Sequence, residues 1–164
     1  MELNTLLHDT LIELATALKT RSLMLASAES CTGGMIAAAC TDLPGSSEWF
    51  ERGFVTYSNT AKTQMLGVPA ALIEKHGAVS EAVARAMAQG AITHSAAQIS
   101  LCTTGIAGPG GGSAAKPVGT VWIACQVDSA AHTTCLSLTG TRQSIREQAT
   151  AQALQWLLHH VLQR

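Results

Sequence analysis

Apolar residues at Leu3, Leu6, Leu7, Leu11, Leu14, Ala15 and Leu18 recur at the three- and four-residue spacing of a helix with one buried face. The next apolar block, Leu23 to Ala28, is short and unbroken, as in a buried strand. From Thr32 the run GGMIAAAC reads as a helix whose small residues allow close packing, and D-L-P-G-S-S ends it. Phe54 to Ser58 reads as a strand, after which Ser58 or Asn59 caps a helix over TAKTQML that stops near Gly67. Pro69 opens a further helix ending at Gly77, and Ser80 caps a longer one with Val83, Met87, Ala91 and Ile92 along its apolar stripe.

Three more strands are expected, at Gln98 to Thr104, through VWIACQV, and around Thr133 to Leu138. A final helix, Ser144 to Leu162, places Ile145, Ala149, Ala153, Trp156, Leu157 and Val161 on one side. Helices alternating with about five strands predict a three-layer α/β/α sandwich over residues 1–164, with a mixed, mainly parallel sheet. The antiparallel component comes from the hairpin expected of the last two strands. At 164 residues, one domain with one sizeable core is the expectation.

Composition narrows the function classes. Hydrophobic residues make up 47% of the chain and charged residues 13%, so disorder is excluded and a surface shared with other subunits, a homo-oligomer, is expected. The formal net charge of -1, the lack of a basic run and the 4% aromatic content argue against nucleic acid as a partner. No apolar stretch approaches the roughly 20 residues of a membrane span, and the first segment carries acids where a signal peptide carries bases, so a cytoplasmic protein without membrane contact is expected. Five cysteines without C-x-x-C and six scattered histidines predict reduced thiols and no metal site.

Four stretches are candidates for chemistry. In AESCTGG a strand gives way to a helix, where free N–H groups favour an anion; Ser30 and Thr32 add hydroxyls, and Gly33 and Gly34 leave room for a ligand. The same letters also describe a plain N-cap with tight helix packing. In GFVTYSNTAK, Tyr57 ends a strand and Lys62 lies in the first turn of a helix, where the helix end and partial burial lower an amine's pKa; a solvated surface lysine is the alternative. In TTGIAGPGGGSAAKPVG, Thr104 and Gly105 stand at a strand end facing the same crevice, although a long hairpin loop has the same composition. In GTRQSIR, Arg142 and Arg146 lie one turn apart and either suits a phosphate or plain solvent. Cys31, a thiol at a helix start, is a rival nucleophile to Ser30, but its only candidate base is an unmarked histidine such as His76. Glu29 reads as a local cap or pair.

Taken in order, AESCTGG, GFVTYSNTAK, LGV, HGAVS and TGIAGPGGGSAAKPVGTV closely resemble the C-terminal domain of the competence-damage-inducible CinA proteins and its stand-alone amidase form. The resemblance spans nearly the whole chain, with only the amidase-like domain represented. It implies hydrolysis of the carboxamide of nicotinamide mononucleotide to nicotinate mononucleotide and ammonia, in pyridine-nucleotide salvage, with no cofactor and no metal. It implies Ser30 as nucleophile, Lys62 as base and Tyr57 as an orienting residue, with Thr104 and Gly105 in the substrate pocket. The developing oxyanion is then expected against the N–H groups of the turn from Cys31 through Thr32 and Gly33 to Gly34. The phosphate is expected on Arg142, with Arg146 second. One departure stands out: the family pattern often has an acid before this arginine, where this chain has Gly140-Thr141-Arg142. A non-catalytic nucleotide-binding module, or an amidase for another small amide, is the remaining alternative.

Overall fold

The computed structural model describes residues 3–164. Helix α1 (Leu3–Thr20) leads into strand β1 (Leu25–Glu29), helix α2 (Met35–Thr41), a short 3-10 turn (Ser46–Glu48) and strand β2 (Phe50–Val55). Three helices follow, α3 (Asn59–Leu66), α4 (Ala70–His76) and α5 (Glu81–Thr93), before strands β3 (Ile99–Gly105), β4 (Thr120–Val127) and β5 (Ala130–Ser137) and the closing helix α6 (Arg142–Leu162).

The sheet order is β2-β1-β3-β4-β5. β1 pairs in parallel with β2 and β3, whereas β3–β4 and β4–β5 are antiparallel, so four strands point one way and β4 the other. The expected mixed sheet is therefore present, with its four pairings split evenly between the two kinds. The β4–β5 hairpin closes through Asp128 and Ser129, with Asp128 at φ 57.

Alternation along the strands supplies both outer layers. Leu25, Ile99, Leu101, Ile123 and Cys125 face a cluster with Leu14 and Leu18 of α1, Ile36 of α2, and Leu154 and Leu157 of α6. Ala26, Ala28, Cys102 and Ala124 face the opposite side, packed on Val83, Met87 and Ala91 of α5 and Leu66 of α3. Burying apolar side chains on both faces gives the three-layer sandwich.

Local signals fix most boundaries. Ser58 accepts from Ala61 N at 3.0 Å to start α3, Gly67 ends it at φ 68, and Ser80 caps α5. Thr141 caps α6, accepting from Ser144 N at 3.2 Å. Thr141 thus does the N-cap work open to an acid at that position, and the lack of an acid before Arg142 leaves the helix start intact.

Two boundaries beside the parallel strand ends differ from expectation. β2 is Phe50–Val55 rather than Phe54 to Ser58, so Tyr57 lies beyond the strand. α2 begins at Met35 rather than Thr32, because Gly33 and Gly34 adopt positive φ (58 and 103) and hold residues 30–34 in a turn.

Helix α5 approaches the end of α3 backbone to backbone: a Cβ added to Gly90 would fall 2.1 Å from the Leu66 carbonyl oxygen. Gly90→Ala is expected to destabilise the protein by about 3 kcal/mol in urea unfolding, despite alanine's better helix propensity, because a backbone oxygen cannot yield. It should also displace α3, the helix that carries Lys62.

Candidate active site

The C-terminal ends of the three parallel strands, β1 at Glu29, β2 at Val55 and β3 at Gly105, open on one side of the sheet, where ligands of open α/β sheets bind. A cavity of about 310 Å³ lies there, lined among others by Ser30, Cys31, Tyr57, Lys62, Thr104, Gly105 and Arg142. A larger depression of about 500 Å³ lies between α3 and α4, but its lining holds no serine, cysteine, lysine or histidine.

Ser30 follows β1 directly, and its N–H donates to Thr103 O of the neighbouring strand at 2.9 Å, which anchors the residue to the sheet. Lys62 extends from the first turn of α3 under the cavity floor, only 1% exposed. Its Nζ lies 3.0 Å from Ser30 Oγ and 3.0 Å from Thr56 O. Burial holds the Lys62 pKa below that of an ordinary lysine, since an ammonium loses its hydration there. No carboxylate forms an ion pair with it among the described residues. A neutral amine in this position keeps an N–H for Thr56 O and a lone pair for the Ser30 hydroxyl.

The thiol of Cys31 is in the opposite situation. Burial pushes its pKa up to about 11, outweighing the pull of Arg146 and Lys62. The activating helix start expected from sequence is not available to it. α2 begins four residues later, and its N-terminal N–H groups are already engaged: Gly34 N and Ile36 N donate to Glu29 Oε1 at 3.2 and 2.9 Å, and Ala37 N to Glu29 Oε2 at 3.1 Å. His76 closes α4 outside the cavity, and its carbonyl accepts from Lys116 Nζ.

The turn therefore offers a narrower oxyanion site than the four residues expected. Gly33 N donates to Ser30 O and Gly34 N to Glu29, while Thr32 is fully buried and binds Glu29 and Thr103 through its hydroxyl. Thr32, Gly33 and Gly34 do not line the cavity; Cys31 does, and its N–H donates to no other residue among those described, facing only its own thiol.

The remaining residues divide in the same way. Thr104 lines the floor, but its hydroxyl donates to Ala78 O at 2.8 Å, tying β3 to the segment before α5. Gly105 stands against Val121, leaving no room for a side chain. At the mouth, Arg142 donates to Tyr57 OH at 2.8 Å and to Gly108 O at 2.7 Å, which joins three separate segments around the opening. Tyr57 is 62% exposed and does not touch Ser30 or Lys62 through a hydrogen bond. Arg146 faces away from the cavity and donates to Cys31 O and Thr32 O at 3.0 and 3.1 Å. The sequence reading missed Thr56 O as a partner of Lys62 and undervalued Glu29; the acid directly before the serine was the available signal for the latter.

A doubly covered α/β sheet with a polar cavity at its parallel strand ends defines a small-molecule-site protein of the three-layer class. Within that class the chain belongs to the CinA C-terminal domain family, whose model matches residues 8–161. It is 50% identical over 154 residues to the nicotinamide-nucleotide amidohydrolase PncC of Escherichia coli strain K12, covering 92% of each chain. It is 46% identical over 157 residues to the protein of that name from Enterobacter agglomerans, covering 95% of this chain and 96% of that one. Among solved structures, the competence/damage inducible protein CihA from Agrobacterium tumefaciens superposes with a TM-score of 0.91 at 41% identity, over 94% of both chains.

Proposed function

We propose that the protein hydrolyses the carboxamide of nicotinamide mononucleotide, giving nicotinate mononucleotide and ammonia, with Ser30 as nucleophile and Lys62 as its base. The observation that carries this reading is the contact of 3.0 Å between a buried amine and the Ser30 hydroxyl at the floor of the cavity. The names of the similar amidohydrolases supply the substrate.

An amide carbonyl is a weak electrophile, so the hydroxyl must lose its proton as it attacks. Ser30 Oγ bonds to the carboxamide carbon while Lys62 Nζ takes the proton, and the carbonyl oxygen, now negative, lies against the Cys31 N–H. Collapse of the tetrahedral adduct breaks the C–N bond, and Lys62 returns the proton to the leaving ammonia. Water then attacks the ester on Ser30, Lys62 again accepting a proton, and the nicotinate carboxylate leaves with the hydroxyl restored. Arg142 is the phosphate anchor in this reading: it lines the cavity mouth, and a phosphate would exchange for Tyr57 OH and Gly108 O on its fork. Tyr57 then covers the bound nucleotide.

Purified protein is expected to release ammonia from nicotinamide mononucleotide in the presence of a chelator, as read by a coupled ammonia assay. Tight binding of the nucleotide without ammonia at any pH would instead identify a regulatory module. Turnover confined to other small amides in a substrate panel would overturn the nucleotide specificity.

A further inference from the structure

Arg146 has no place in the chemistry above, yet its side chain ends within 3.1 Å of the turn that carries the nucleophile. Its Nε donates to Cys31 O and its Nη2 to Thr32 O, so one planar guanidinium spans two consecutive carbonyls. Gly33 makes that approach feasible: it lies at φ 58, and a Cβ there would stand 3.2 Å from Nη2. On the other side of the turn, the fully buried Glu29 carboxylate gathers the Thr32 hydroxyl at 2.7 Å and the N–H groups of Gly34, Ile36 and Ala37. A cation thus holds the carbonyls of the turn and an anion its N–H groups, without forming an ion pair with each other.

The consequence is directional. In a trans peptide the N–H points opposite to the preceding C=O. Ser30 C=O is turned inward to accept from Gly33 N, which turns the Cys31 N–H outward, and Cys31 borders the cavity. That arrangement persists only while the next two peptide planes stay in place, and these are the planes whose carbonyls Arg146 grips. The same planes begin one residue after Ser30 and limit how far its Oγ can drift from Lys62 Nζ.

We propose that Arg146 is a positioning residue, which with Glu29 clamps the nucleophile turn from two sides and so fixes Ser30 Oγ and the Cys31 N–H for attack on a carbonyl. This rests on Ser30 being the nucleophile, and it gives Arg146 a role other than holding phosphate.

The test compares the parent with Arg146→Lys and Arg146→Met. Readouts are ammonia release from nicotinamide mononucleotide and from the corresponding riboside, and phosphonylation of Ser30 by a fluorophosphonate. In the labelling step Ser30 Oγ bonds to phosphorus, fluoride leaves, and the proton passes to Lys62. Arg146→Met should lower kcat roughly tenfold to a hundredfold, the scale of a small misplacement of reacting groups. KM for the nucleotide should hold within about twofold, and the riboside and the labelling rate should fall by the same factor. Arg146→Lys should fall between, because a single ammonium cannot span two carbonyls. A rise in KM for the nucleotide alone would overturn the clamp in favour of phosphate binding. Unchanged kcat and labelling would overturn it in favour of a structural surface arginine, as would a loss that disappears well below each variant's melting temperature. A parent that labels rapidly but releases no ammonia would defeat the nucleotide reading while the order of labelling rates still decides the clamp. A parent inert to both probes would overturn the clamp and the serine nucleophile together.

Discussion

Replacing Ser30 with alanine is expected to lower ammonia release from nicotinamide mononucleotide by roughly four orders of magnitude or more, the usual cost of removing an attacking hydroxyl. The fold should survive, since the Ser30 side chain meets only Lys62 Nζ and the anchoring contact to β3 is made by its backbone N–H. Cys31→Ala is the paired control and should keep activity of the parent's order. Its thiol has a pKa near 11, so almost no thiolate exists at neutral pH, and its contribution to the oxyanion site is a backbone N–H that alanine retains. The two variants separate the adjacent candidates cleanly. Full turnover in Ser30→Ala with loss in Cys31→Ala would reverse the assignment. Circular dichroism and a melting curve on each variant exclude unfolding as the cause.

That Ser30 and Cys31 had to be weighed against each other shows where sequence is informative. The order of elements followed from apolar spacing, and the capping serines at 58 and 80 and the glycines at 67 and 77 marked helix ends because those signals are local. β2 was placed about four residues too late for a reason rooted in topology. It is an edge strand whose sequence is broken by Glu51, Arg52 and Gly53, and an edge strand lacks the continuous apolar run of the buried β1 and β3. The start of α2 was misjudged because GGMIAAAC has helical composition, whereas the paired positive-φ glycines form a turn.

At the site, the pairing of Ser30 with Lys62 was suggested by two strand-end motifs, but the reach across 32 residues is a property of the fold. The assignment of N–H groups was less accessible still. Glu29 sits next to Ser30 in the chain, yet its carboxylate turns to the α2 side of the sheet because strand side chains alternate, and there it absorbs the donors that the sequence had offered to substrate. Arg142 and Arg146 are one helical turn apart, and the sequence offers both to phosphate, Arg142 first and Arg146 second. Their different neighbours, Tyr57 and Gly108 in one case and the carbonyls of residues 31 and 32 in the other, come from loops whose course no local pattern encodes.

Lys62 carries the second large expectation, because its protonation state couples catalysis to stability. As a base it must be neutral, so kcat/KM should rise with pH along a limb of unit slope whose midpoint lies below 10.5, the ordinary lysine value. Lys62→Arg should lose roughly 10²- to 10⁴-fold, since a guanidinium stays protonated throughout the range. Unfolding reads the same group independently. The folded pKa is lowered by burial, so between that pKa and 10.5 the unfolded chain binds more protons than the folded one, and stability rises with pH across this interval. Conversely, stability is lost as pH falls through the folded pKa, where the ammonium must be housed without its hydration. Lys62→Met lacks this titration, so its unfolding free energy relative to the parent should shift in the variant's favour as pH is lowered from 10 to 7, as measured in urea. A parent and variant whose stabilities run parallel over that range would mean that Lys62 titrates alike in both states, and a base with an unshifted pKa would be almost wholly protonated at neutral pH. The midpoint of the activity limb must therefore coincide with the pH below which the stability difference levels off, since one proton on Lys62 Nζ governs both.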